Sequence, residues 1–288
     1  MSKHLGFGKR LNASQHIEQF RLVVWQGEYL PEDATDAHSL YEAFRLRHQV
    51  FAEMKQWEEE NADRLEIDEF DQKAQHFMLI GIDAHKQEHV LAYTRLIKGN
   101  PTPKTPENQS DYNLPMQKAD VNLKKFHKDI HEGRFLELSR LVANPVLRNT
   151  LRKIDNMSIR SSDVLLYLTL EYCLNSPEPA EKIIVILEDF MCRRLDFFGI
   201  IYERIGQPVE HKGTRYPIMI DPHSEQNIRA RSKIGQLLRR ETHGTMDVFS
   251  EAPTKERLGR HTRHSRLPKF PRRMAVQQVF KVDIGIND

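Results

Sequence analysis

Arg134-Phe-Leu-Glu-Leu-Ser-Arg-Leu-Val-Ala143 is the stretch on which the fold turns. Leu136 and Leu138 alternate as a strand's buried positions do, then the phase slips and Leu141 and Val142 stand side by side. An alternation that breaks once and resumes marks a strand interrupted by a bulge. Glu137 and Ser139 share one face of it, and Arg140 falls opposite unless the bulge rotates it. Polar groups set into a strand otherwise built of Leu, Val and Phe must be partnered or functional.

Upstream, residues 76–82 and 90–97 are strand-like runs joined by a polar turn, which predicts an antiparallel hairpin. Before them lie a short β-rich run at 20–25 and a helix over 39–51 behind a Ser cap. Residues 98–116 hold four prolines and no apolar period, and read as a surface excursion. Downstream, Ser161-Ser-Asp163 caps a helix over 164–174, and residues 182–187 form a buried strand. A helix over 189–198 closed by Gly199, a strand over 200–205, a turn-containing segment 206–216 and a strand at 218–220 follow. This order predicts an α/β (α+β) architecture, a mixed central sheet with helices on both faces.

The chain has 288 residues, 39% hydrophobic and 29% charged, enough to bury a sizeable core. Its formal charge of +2 excludes a wholesale electrostatic nucleic-acid binder. The charge is uneven: residues 225–288 hold 14 Lys/Arg against 7 Asp/Glu, and residues 1–224 hold 29 against 34. We therefore expect a domain over 1–224 and a basic, partly disordered extension over 225–288. Its stretch 255–273 can serve as a solubilising tail, or can meet an acidic protein, an anionic lipid surface or nucleic acid. Cys173 and Cys192 cannot make a disulfide framework. No apolar run approaches the ~18 residues of a membrane span, and the first residues lack the apolar core of a signal peptide, so a cytoplasmic location is expected. His127 and His131 have a metal-binding spacing without the rest of a site, and no metal is expected.

Chemistry-bearing side chains recur in order: Arg47-x3-Phe51-x5-Trp57, Glu66-x-Asp68-x2-Asp71, Arg95-Leu96 and Glu137-Leu-Ser-Arg140. Asp68 and Asp71 are three apart, so a turn there lets both face one arginine. Residue by residue, a buried ion-pair network that only fixes the fold explains these charges equally well. As an ordered series they resemble the acyl-homoserine-lactone (autoinducer) synthases, acyltransferases of GNAT-like fold. The stretch from Leu195 through Gly199, Gly206 and Gly213 to Arg215 and Pro217 resembles the exosortase (PEP-CTERM) system-associated branch. The resemblance spans residues 20–222.

The resemblance implies a GNAT-like acyltransferase that moves an acyl group from an acyl carrier protein or acyl-CoA thioester to an amine, with no permanently bound cofactor. It implies Glu137 as base, since a protonated amine must lose a proton before it attacks. Ser139 would orient the acceptor or protonate the departing thiolate. Arg47, Phe51 and Trp57 would shape the acceptor pocket, with Trp57 offering an apolar or cation-binding face. Asp68, Asp71, Arg95 and Arg140 would hold the site in register, or the arginines would bind an acceptor carboxylate. The segment after the interrupted strand has no Gly-rich pyrophosphate loop, which favours a carrier protein, whose single phosphate Arg148, Arg152 or the helix start at Ser161-Ser162 could hold. S-adenosylmethionine as acceptor, and a non-catalytic acyl-ligand sensor, are the alternatives.

Overall fold

The structure is a computed structural model that describes residues 17–26, 38–99, 113–147, 153–154, 157–175, 180–240, 250–251 and 276–282. Its strands are β1 (Ile17–Gln26), β2 (Ala74–Asp83), β3 (Glu88–Lys98), β4 (Phe135–Ala143), β5 (Lys153–Ile154), β6 (Met157–Ser158), β7 (Lys182–Glu188), β8 (Tyr202–Arg204), β9 (Val209–Glu210), β10 (Thr214–Ile220), β11 (Ser250–Glu251) and β12 (Val276–Val282). Its α-helices are α1 (His38–His48), α2 (His127–His131), α3 (Ser161–Asn175), α4 (Asp189–Phe198) and α5 (Glu225–Arg240). The main sheet runs β11-β12-β1-β2-β3-β4-β7-β10-β8, with β9 added to β10, while β5 and β6 pair apart.

Both faces of this sheet are covered, which is why its strands read as nearly continuous apolar runs. Leu22, Val24, Phe77 and Leu79 pack with α3, whereas Val23, Trp25, Met78 and Ile80 pack with α1. Neighbouring residues thus feed opposite layers, as the period of two requires. The expected hairpin is β2–β3, and its turn is closed by the Asp83 carboxylate, which accepts from the backbone N–H groups of His85 (2.8 Å) and Gln87 (2.9 Å). α4 ends on Gly199 at φ 73°, where a side chain would be strained.

Two features of β4 build the site. Ser139 pairs with Arg95 and Val142 with Tyr93, so two residues of β4 stand opposite Thr94 alone. Arg140, at φ 56°, is the residue of that bulge. On its other side β4 runs parallel to β7 for three pairs, the last being Glu137 with Ile184, and then the strands part. All other ladders of the main sheet are antiparallel.

Three expectations need correction. The excursion expected over 98–116 ends inside the protein: Leu114 and Met116 are buried, because Pro115–Ala119 forms a 3-10 turn over the sheet. The strand near the end of the domain begins at Thr214 rather than 218, since Arg215 pairs with Glu188 of β7. The boundary expected after 224 separates α5 from its packing: Ala230 and Ile234 join the core that α3 and α4 form, and Arg231 is buried with its Nη1 2.8 Å from Glu171. β12 also returns to pair antiparallel with β1. Low apolar density misled there, because an amphipathic helix needs only one apolar stripe. Residues 255–273 lie outside the described residues.

Candidate active site

Where β4 and β7 part, a cavity of about 1070 Å³ opens, walled by residues 138–143 of β4 and 185–188 of β7. Glu137 sits at its apex, the last paired residue before the strands diverge. Its carboxyl is 1% exposed, and one oxygen accepts the backbone N–H of Met116 at 3.0 Å. Burial pushes its pKa up to about 8, against the opposing pull of that N–H and of Arg95 and Arg140. A carboxyl group so placed is basic enough to exchange a proton near neutral pH.

Beside it lies a network of three arginines and four carboxylates. Arg47 grips Asp71 through two N–H···O bonds of 2.7 and 3.0 Å, and also reaches Glu66 and the Tyr93 hydroxyl. Arg95 grips Asp68 the same way at 2.6 and 2.8 Å, touches Asp71, and donates from Nε to the Ser139 hydroxyl at 3.0 Å. Arg140, turned by the bulge, holds Glu66 (2.9 Å), Glu58 (3.1 Å) and Asp68 (3.1 Å). Burial alone would raise the Asp71 carboxyl; Arg47 and Arg95 overcome it and hold that group far below the usual carboxylate range. Asp68 is lowered as well, burial again being outweighed, here by Arg95.

The network has two layers. Glu66, Asp68, Ser139 and Arg140 line the cavity; Arg47, Asp71 and Arg95 stand behind them and do not. Arg47 is therefore no wall of an acceptor pocket as the sequence suggested: it is fully buried and its guanidinium is spent on Asp71 and Glu66. Phe51 and Trp57 do line the cavity. The six-residue π-helical turn Gln49–Met54 that ends α1 lets the Trp57 N–H reach the Phe51 carbonyl at 2.7 Å, and the two rings stack 5.9 Å apart. The face of Trp57 is already met by the chain's own cations, Lys55 at 3.7 Å and Arg215 at 4.7 Å, which removes the open cation-binding face expected of it.

The start of α3 faces the same cavity through Arg160 and Ser162. Ser161 itself is fully buried and its hydroxyl has no partner among the described residues, so of the expected pair Ser161-Ser162 only the half-buried Ser162 lines the cavity. Arg148 and Arg152 lie outside the described residues. Sequence reasoning gave no site role to Glu58, Lys212 or Arg215, which meet at the cavity from distant segments, with Lys212 paired to Glu58 and Arg215 bound to Glu188 at 3.0 Å. Glu66 was within reach, since it stands in the same series as Asp68 and Asp71.

Residues 46–153 match the acetyltransferase (GNAT) domain family. Among solved structures, the CoA-dependent acyl-homoserine lactone synthase BjaI, with SAM and isopentyl-CoA, aligns at a TM-score of 0.51 and 17% identity over 75% of this chain and 90% of its own. TofI, in a ternary complex with an inhibitor and MTA, aligns at 0.51 and 21% identity over 74% and 96%. The AHL synthase LasI aligns at 0.50 and 16% over 73% and 94%. The fold is that of the GNAT acyltransferases. No curated protein sequence matches. Among the described residues no helix is long and apolar enough to cross a membrane.

Proposed function

We propose that the chain is an N-acyltransferase that moves a fatty acyl group from a carrier-protein or CoA thioester to the amine of a small acceptor. The observation that carries this reading is Glu137, a carboxyl with pKa raised to about 8 at the apex of an open cavity. Glu137 takes a proton from the acceptor's ammonium group, directly or through water. The freed nitrogen attacks the thioester carbon, a C–N bond forms, and the C–S bond breaks as the tetrahedral adduct collapses. The oxyanion of that adduct meets main-chain N–H groups of β4 beyond Glu137, where the edge toward β7 has no strand partner. A thioester is already activated, so no covalent enzyme intermediate is required. Arg95 Nε can only donate, so the Ser139 oxygen accepts, and the Ser139 hydrogen remains available to the departing thiolate or the acceptor.

The donor's phosphate would lie at the start of α3, where Arg160 and Ser162 line the cavity and the helix dipole favours an anion. The absence of a Gly-rich loop after β4 supports a carrier protein over free CoA, and the motif series at 195–217 supports kinship with the exosortase-associated branch. S-adenosylmethionine is a narrower choice of acceptor. The test is to incubate the protein with acyl-CoA or acyl carrier protein and a panel of amines that includes S-adenosylmethionine. Release of thiol with formation of an acyl amide by mass is the expected result; no amide with any pair would overturn the reading.

A further inference from the structure

Behind the ion-pair network lie two groups that the proposed reaction does not use. His76 on β2 and Tyr93 on β3 are fully buried, with the Tyr93 hydroxyl 2.7 Å from His76 Nδ1. His76 Nε2 is 3.0 Å from the main-chain carbonyl of Asp71, and Arg47 Nη1 is 3.2 Å from the Tyr93 oxygen. A carbonyl only accepts, so Nε2 carries a hydrogen, and a guanidinium only donates, so the Tyr93 oxygen accepts from Arg47. Burial, aided by the charges of Arg47 and Arg95, holds the imidazole pKa down at about 4, so at neutral pH Nδ1 is bare and accepts the Tyr93 hydrogen.

We propose that His76 and Tyr93 are positioning residues for acyl transfer: together they clamp Arg47 and the main chain of Asp71, and so fix the orientation of the cavity-lining layer. Two routes lead outward. Arg47 holds Glu66, which holds Arg140 in the cavity wall over Phe51. Asp71 meets Arg95, which pins the Ser139 oxygen and turns its hydrogen toward the cavity. Without the clamp, both Arg47 and Asp71 gain freedom that propagates to the groups facing the reactants. A displacement of about 1 Å is enough to slow a reaction between two positioned partners. The inference rests on the N-acyltransferase reading.

The variants are Tyr93→Phe, which deletes one oxygen and keeps the ring, and His76→Asn, which keeps an acceptor for Tyr93 and loses the donor to Asp71. With decanoyl-CoA and decanoyl carrier protein as donors and the best amine from the panel, each should lower kcat/KM for the amine by about tenfold, through loss of positioning in the layer that faces the reactants. The KM for the donor should stay within about twofold, since α3 packs on the face of the sheet opposite Tyr93. A merely structural role would lower the melting temperature and leave that split unmoved. Long-range heteronuclear NMR should show the His76 ring as the Nε2–H tautomer, unchanged from about pH 8 to 5. Full amine kinetics in both variants, or an Nδ1–H or titrating ring, would overturn the clamp. Failure of the unaltered protein to acylate any amine would instead overturn the reading on which it rests.

Discussion

Arg47 and Arg140 belong to one network and share Glu66, yet they live in different surroundings. Arg47 is fully buried among Asp71, Glu66 and Tyr93, while Arg140 is about a fifth exposed on the cavity wall. The difference separates the two roles that charged groups take in a core. Inner charges have no water to fall back on, so their partners are obligatory, and removing one leaves another stranded. Outer charges retain solvent and can exchange a protein partner for a ligand. The bulge at Arg140 makes this division possible, because it moves one arginine of a buried strand onto the open side.

The largest effect should come from the apex of the cavity. Glu137→Gln keeps the shape and the Met116 contact but removes the base, and thiol release in the presence of amine should fall about a hundredfold to ten-thousandfold. In the unaltered protein, kcat/KM should rise with pH through an ionisation near 8 and then level, because the carboxylate is the active form. The sign for stability is the opposite. The folded-state pKa of Glu137 is above that of an unfolded glutamate, so its stabilising contribution is full below about pH 4.3 and is lost as pH rises through 8. Chemical denaturation of Glu137→Gln should lack that decline, and an identical pH slope in both proteins would remove the burial argument.

Breaking the inner layer comes next. Asp71→Asn leaves the two buried guanidinium groups with one carboxylate each, Glu66 for Arg47 and Asp68 for Arg95, and unfolding free energy should drop by about 3–5 kcal/mol. Arg140→Ala sharpens the contrast: about 1 kcal/mol of stability is at stake, while the KM for the amine should rise about tenfold if the outer layer meets the acceptor. Equal stability losses at Asp71 and Arg140 would abolish the distinction between layers. At the small end, Arg193→Ala breaks an exposed i,i+4 pair with Asp189 on α4 and should shift stability by less than about 0.5 kcal/mol.

The ordered series from Arg47 to Arg140 was legible because strand alternation and a single phase slip are local properties of the chain. The slip at 139–142 announced the bulge, and the structure puts it at Arg140. The layer to which each charge belongs was not legible. Arg47 and Phe51 stand four apart on one helical stretch, yet one backs the network and the other faces the cavity, since the helix widens into a π turn between them. Lys212, Arg215 and Glu188 come to the cavity from β7, β10 and the turn before β10, and no spacing within the chain indicates that they converge with β4. α5 was misjudged for a related reason, its basic composition hiding the few apolar residues that dock it on α3 and α4.

Sequence by itself determined the mixed α/β layering, the break in β4 and the set of side chains able to do acid–base chemistry, because each depends on the period of apolar residues along a few neighbours. Tertiary structure alone decided where β4 leaves β7, which charges are sealed and which meet the cavity, and therefore that the Glu137 carboxyl is basic. Burial and proximity depend on elements brought together from across the chain, and a carboxyl's affinity for its proton follows from them.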